Sequence, residues 1–125
     1  MKRRALLTGV TGFLGGYTAR RLLAGGWHVA AIVRTSSRID LLPASLREQI
    51  DFYDADCMDL PKVVQSAAPD VVFHLAAHYT TVHTYDEIDT LITGNVTFGT
   101  KLLDAMAQNN VHNFVYARSS WQHYR

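Results

Sequence analysis

The sequence predicts an α/β domain, a doubly wound parallel sheet of five strands with helices packed on it. Three observations carry this. Short apolar runs alternate with amphipathic segments in the order β-α-β-α-β-α-β-α-β, and such alternation requires right-handed crossovers between parallel strands. A glycine-punctuated turn joins the first apolar run to the first amphipathic segment. The chain of 125 residues is 48% hydrophobic, enough for one domain with a packed core and too apolar for disorder. No internal repeat or low-complexity tract interrupts the pattern.

The elements follow in order. Arg4 to Thr8 reads as a strand, and Phe13 to Ala24 as a helix that Gly25 and Gly26 stop. His28 to Val33, rich in Val and Ile, is a second strand, followed by a polar loop from Thr35 to Arg38. Ile39 to Glu48 is broken by Pro43, and both a short helix and a loop fit it. Ile50 to Tyr53 is a third strand. Asp59 then caps a helix that carries Pro61 in its first turn and runs to about Ala67. Val71 to Leu75 is a fourth strand. From Asp86 to Asn109 apolar residues recur at helical spacing, at Ile88, Leu91, Ile92, Val96, Leu102, Leu103 and Met106, with Gly94 and Gly99 as interior weak points. Phe114 to Ala117 is the fifth strand.

Charge and composition exclude several function classes. Twelve Lys and Arg balance 11 Asp and Glu, giving a net charge of +1 with no basic stripe, so neither nucleic acid nor a membrane surface is an expected partner. One cysteine, Cys57, excludes an intramolecular disulfide and a cysteine-based zinc site, and fits a reducing, cytoplasmic setting. The longest apolar stretches fall far short of the roughly 20 residues a membrane span needs. Lys2, Arg3 and Arg4 before an apolar stretch faintly resemble an export signal. The regular Gly9, Gly12, Gly15 interval and the immediate Arg20 and Arg21 argue against one.

The turn Thr8-Gly9-Val10-Thr11-Gly12-Phe13-Leu14-Gly15 sits between strand and helix, the context that makes a glycine motif a phosphate site. Gly9 permits the tight turn, Gly12 leaves room for a pyrophosphate, and Gly15 lets the helix pack closely on the sheet. The helix start then offers unpaired N–H groups and partial positive charge. At the end of the second strand, about 20 residues on, an acid would accept from the ribose hydroxyls of NAD. Arg34 stands there, followed by Thr35, Ser36, Ser37 and Arg38. A guanidinium suits a 2′-phosphate and cannot accept from a hydroxyl, so NADP is the expected cofactor and NAD the lesser one; the competing account is an ordinary polar loop.

The spacing G-x-x-G-x-x-G after Thr8 resembles the extended short-chain dehydrogenase/reductases, the NAD(P)-dependent epimerase/dehydratase family. Asp56 within Asp54-Ala55-Asp56-Cys57-Met58-Asp59 matches that family's acidic motif after the third strand. Val72-Phe73-His74-Leu75-Ala76-Ala77, Asn95-Val96-Thr97-Phe98-Gly99-Thr100, and Phe114-Val115-Tyr116-Ala117 before a Ser pair match three further motifs in order. The resemblance spans the whole chain and implies a Rossmann-type fold with a dinucleotide along Gly9, Thr11, Gly12, Phe13 and Leu14. It implies that Asp56, with Cys57 beside it, receives the adenine amino group; a capping or turn role is the alternative. It implies backbone contact from Leu75, Ala76 and Ala77, which are otherwise ordinary strand-end residues. Asn95 would anchor the neighbouring active site or merely satisfy helix packing. The segment with His78 and His83 would face substrate or nicotinamide, and no metal is expected. Ser119 would be the catalytic serine that holds the reacting carbonyl or hydroxyl. Arg118 departs from the small residue usual before it, so Ser120 stays open. Ser120 to Tyr124 resembles the CDP-sugar reductase branch.

The departure from the family is at the end. Its acid/base Tyr, made effective by Lys in Y-x-x-x-K, has no match, because no Tyr here has Lys four residues on and the only lysines are Lys2, Lys62 and Lys101. The expectation is therefore a single cofactor-binding half-fold over 1–125, ending after the fifth strand and without the substrate-binding region. It would be inactive alone, with a nucleotide sugar as the family's substrate class and a self-associating apolar face where the next helix would lie. A non-enzymatic NADP(H)-binding or interaction module is the alternative.

Overall fold

The computed structural model describes residues 1–120; Trp121 to Arg125, and with them most of the tail compared above with the CDP-sugar reductases, lie outside the described residues. Among the described residues five parallel strands form one sheet: β1 (Arg4–Thr8), β2 (His28–Val33), β3 (Ile50–Asp54), β4 (Val71–His74) and β5 (Phe114–Tyr116), in the order β3-β2-β1-β4-β5. This is the Rossmann arrangement, with the order reversing at β1. Ligands of such sheets lie at the switch point, outside the strands' C-terminal ends.

Helices cover both faces. The alternation of β1 sends Leu6 to one side, among Val63, Val64, Leu102 and Met106 of α3 (Leu60–Ala67) and α5 (Phe98–Gln108). Ala5 and Leu7 go to the other, with Val10, Leu46 and Ala19 of α1 (Phe13–Ala24). Each large side chain so buried contributes about 1.5–3 kcal/mol. The start of α3 follows the sequence reading, since the Asp59 carboxylate accepts from the Lys62 N–H at 3.0 Å and Pro61 sits in the first turn. The mixed segment after β2 resolves into a 3₁₀ turn (Ile39–Leu41), Pro43, and a one-turn helix α2 (Ala44–Arg47).

The expected single helix from Asp86 to Asn109 differs. It opens with a 3₁₀ turn at Tyr85–Glu87 that the Thr84/Glu87 capping box closes. It continues as α4 (Ile88–Ile92), widens into a π-helical turn at Thr93–Thr97, and resumes as α5. The wide turn holds Gly94, whose absent side chain lets His78 approach, and Asn95, which bonds the backbone of the same residue. Of the apolar residues that gave the helical spacing, Leu102 and Met106 are buried, whereas Ile88, Ile92, Val96 and Leu103 are exposed along one stripe. Among the described residues no helix is long and apolar enough to cross a membrane.

Candidate cofactor site

The site is assembled where β1 and β4 lie side by side, with Thr8 in register with His74. Gly9 leaves β1 with φ +75, a left-handed conformation that only glycine adopts cheaply. A Cβ on it would sit 2.8 Å from the Ala76 nitrogen and 2.9 Å from the Leu75 carbonyl carbon, so the turn crosses directly against the chain leaving β4. Gly12 closes the turn by donating its N–H to the Gly9 carbonyl at 3.0 Å. Gly15 carries a reason the sequence reading missed. Its Cβ would fall 1.9 Å from the Gly9 carbonyl oxygen, so the close approach is between helix and turn rather than helix and sheet. A Cβ on Gly12 would meet only that same oxygen, at 3.3 Å, leaving the space in front of it open.

α1 begins at Phe13 with no side-chain cap and no acid in its first turn. The N–H groups of a helix's first turn have no partner within the helix, and here no acidic side chain of that turn competes for them. The side chains of Thr11, Phe13 and Leu14 point to solvent, Phe13 being 94% exposed, so their offer to a ligand is backbone.

Thr8 ties this crossing together. Its hydroxyl oxygen accepts from the Leu75 N–H at 3.0 Å and the Ala76 N–H at 3.1 Å, and lies 2.7 Å from Nδ1 of the buried His74. Burial pushes the His74 imidazole below its ordinary 6.5. The sequence does not disclose this pairing of Thr8 with His74, because it depends on strand register between residues 66 apart.

Two adjoining cavities continue from the turn. One, of about 230 Å³, is lined by Gly9, Arg34, Ala76, Ala77, Gly94 and Phe98 among others. The next, of about 760 Å³, shares Arg34, Ala55 and Phe98 with it and adds Asp56, Thr97 and Lys101. Together they run from the glycine turn across the C-terminal ends of β2 and β3.

The far end is built of exposed side chains. Arg34 donates its N–H to Ser37 Oγ at 2.9 Å, and the residue borders both cavities. Arg38 is engaged elsewhere, in a two-point pair with Asp40 at 2.9 and 3.0 Å. Asp56 accepts from the Thr35 N–H at 3.0 Å, and Asp54, which the sequence reading passed over, accepts from the Thr35 hydroxyl at 2.6 Å. The Thr35 hydroxyl, then the Asp56 N–H, holds the Asp54 carboxyl below the usual carboxylate range. Cys57 is exposed beside this network and donates its N–H to the Asp54 carbonyl at 3.1 Å. The Asp54-Ala55-Asp56 spacing, with two acids beside a hydroxyl-bearing loop, was the available signal.

Asn95 clamps the segment that follows β4 by accepting from the His78 N–H and donating to the His78 carbonyl, both at 2.8 Å. Ser119 stands three residues past β5, exposed, and lines neither cavity. Among the described residues no group of His, Cys, Asp and Glu is arranged to hold a metal ion.

The chain resembles known proteins over nearly its whole length. The chain is 32% identical to UDP-glucose 4-epimerase of Mycolicibacterium smegmatis over 93% of its length, and 28% identical to protein CapI of Staphylococcus aureus over 94%. It spans only 38% of either relative. The fold is shared with UDP-glucose-4-epimerase of Stenotrophomonas maltophila, solved with bound NAD and formylated UDP-arabinopyranose (TM-score 0.78, 23% identity, 95% of this chain and 38% of that one). It is shared equally with UDP-glucose 4-epimerase of Brucella ovis in complex with NAD (TM-score 0.78, 24% identity, 94% of this chain and 36% of that one). Residues 5–122 match the model of the NAD dependent epimerase/dehydratase family, and the chain belongs to that family.

Proposed function

We propose that this chain binds a dinucleotide along the glycine turn and the two adjoining cavities, as the cofactor-binding part of a nucleotide-sugar epimerase, dehydratase or reductase. The observation that carries the reading is the crossing of Gly9 under Ala76 at the switch point, with the uncapped start of α1 in front of it. The turn's backbone N–H groups would take the pyrophosphate, Ala76 and Ala77 the cofactor's middle, and the Asp56 side the adenine. The solved relatives carry NAD or UDP-sugars, which supports a dinucleotide and a sugar nucleotide as the classes.

NADP is proposed as the preferred cofactor on the strength of Arg34. It borders both cavities where an acid would select NAD, and no ion pair ties it among the described residues. Bound there, the dinucleotide supplies hydride transfer; the chain supplies its orientation. Ser119 is proposed to hold the reacting carbonyl or hydroxyl. Proton transfer in this family's manner needs the Tyr and Lys of Y-x-x-x-K, which these 125 residues do not contain, so they alone turn over no nucleotide sugar. The exposed stripe of Ile88, Ile92, Val96 and Leu103 supports self-association of the chain. Calorimetric titration with NADPH and NADH tests the cofactor assignment. Saturable binding with NADPH tighter is expected, equal affinities would remove the role of Arg34, and no binding of either would refute the reading.

A further inference from the structure

Among the described residues His74 is the one buried histidine, 4% exposed, and the dinucleotide reading gives it no task. Its hydrogen bonding is nonetheless determined. A hydroxyl has one proton and two lone pairs. The Thr8 oxygen spends both lone pairs on the Leu75 and Ala76 N–H groups, so its proton goes to His74 Nδ1. The imidazole is then neutral, with its own proton on Nε2, against Gly99, whose Cβ would lie 3.3 Å away. The rings of Phe98, Phe114 and Tyr116 surround it at 5.6 to 6.0 Å between centroids. Among the described residues the elements packed on it present Thr8 from β1, Asn95 and Val96 from the π turn, Gly99, Thr100 and Leu103 from α5, and Phe114 and Tyr116 from β5. Tyr116 is the one ionisable side chain of that set, and none is a carboxylate or a cation.

A proton on Nδ1 would turn an acceptor into a donor facing Thr8. The Thr8 oxygen would then need a third lone pair, and one of the two amides would have to let go. Those amides belong to the strand end against which Gly9 turns so closely that a Cβ on it would lie 2.8 Å from the Ala76 nitrogen. We propose that His74 is a positioning residue of the dinucleotide site. Its neutral ring fixes Thr8, Thr8 fixes the Leu75 and Ala76 amides, and protonation of Nδ1 releases one of them and weakens dinucleotide binding. The proposal rests on the dinucleotide reading above. The sign follows from linkage: the cofactor favours the neutral ring, so affinity is constant above the His74 midpoint and falls with pH beneath it, by at most tenfold per pH unit. Burial holds that midpoint below 6.5.

The test is a nitrogen-15 NMR titration of the chain between about pH 8 and about pH 5.5, spanning the ordinary imidazole range. Alongside it, calorimetry with NAD⁺ serves as the probe, because NAD⁺ lacks the 2′-phosphate monoester of NADP, whose second proton is exchanged near about pH 6. The expected result is an Nε2–H tautomer for His74, Leu75 and Ala76 amides that shift with the His74 midpoint, and NAD⁺ affinity that falls below it. His74→Asn offers an acceptor without a titrating proton, and its NAD⁺ affinity should not vary with pH. Thr8→Ser should keep the coupled amide shifts and Thr8→Val should lose them. Amides that ignore the His74 titration, an Nδ1–H tautomer, or a pH fall that persists in His74→Asn would each overturn the proposal. Absence of both NAD⁺ and NADP⁺ binding at every pH would overturn the dinucleotide reading instead, and coupled amide shifts would still support the His74–Thr8 relay.

Discussion

The two ends of the proposed cofactor track are made of different material. At the glycine turn the surface is backbone, held by close and largely buried contacts: Gly9 against Ala76, Gly15 against the Gly9 carbonyl, Thr8 against His74. At the ends of β2 and β3 it is mostly exposed side chains, with Thr35 bonding half-buried Asp54 and exposed Asp56 across two loops and exposed Arg34 beside them. Backbone surface is specified by the absence of atoms, so an addition is felt by the fold where backbone already fills the space, as at Gly15, and by a ligand where the space is open, as at Gly12. Side-chain surface is specified by their presence, so a substitution there changes selectivity and leaves the fold in place.

Gly15→Ala presses hardest on this contrast. A methyl 1.9 Å from a carbonyl oxygen in a turn that cannot retreat from Ala76 forces backbone movement. Overpacking of this kind costs typically 1–3 kcal/mol, and with backbone on both sides a loss of about 3 kcal/mol or more is expected in denaturant unfolding. A near-neutral change would show that the turn is not rigid. Gly12→Val should separate fold from binding. Its Cβ meets one oxygen at 3.3 Å in otherwise open space, so circular dichroism should remain that of the parent while dinucleotide binding disappears. Normal binding by the folded variant would move the phosphates elsewhere.

At the side-chain end the effects shrink. Arg34→Asp should keep the fold and reduce the preference for NADPH over NADH by about 1.5–3 kcal/mol, the usual worth of a hydrogen bond to a charged group. An unchanged ratio of affinities would return Arg34 to the status of a loop residue. Smallest is Thr35→Val. Because the Thr35 hydroxyl is the leading cause of the lowered Asp54 carboxyl, removing it should move that carboxyl's titration back up toward the ordinary aspartate range, with little effect on unfolding. In the parent, the Thr35–Asp54 tie should hold above the unfolded aspartate value and be lost only as pH falls through the lowered Asp54 midpoint. Carboxyl-detected NMR would read both, and identical titrations in parent and variant would show the hydrogen bond to be idle.

The same contrast explains what the sequence disclosed. The glycine turn was legible because its constraints are local: a strand, three glycines at a fixed interval and a helix stand next to one another in the chain. The five strands were legible because apolar runs between turns have few alternatives. The partners that depend on register were not. Thr8 meets His74 only once β1 pairs with β4, and Gly94 and Asn95 meet His78 only where a helix widens by a turn whose spacing the apolar pattern does not encode. Arg38, read only as part of the polar loop after Arg34, is held by Asp40 two residues on.

The central claim is that phosphates lie on the backbone of the glycine turn. Amide shift mapping of the chain during titration with NADPH addresses it most directly. The account predicts that the largest shifts fall on Gly12 to Gly15 and on Leu75 to Ala77, with a smaller set at Arg34 to Ser37. Saturable shifts confined to residues away from the turn, or none at all at concentrations that saturate the calorimetric signal, would contradict it.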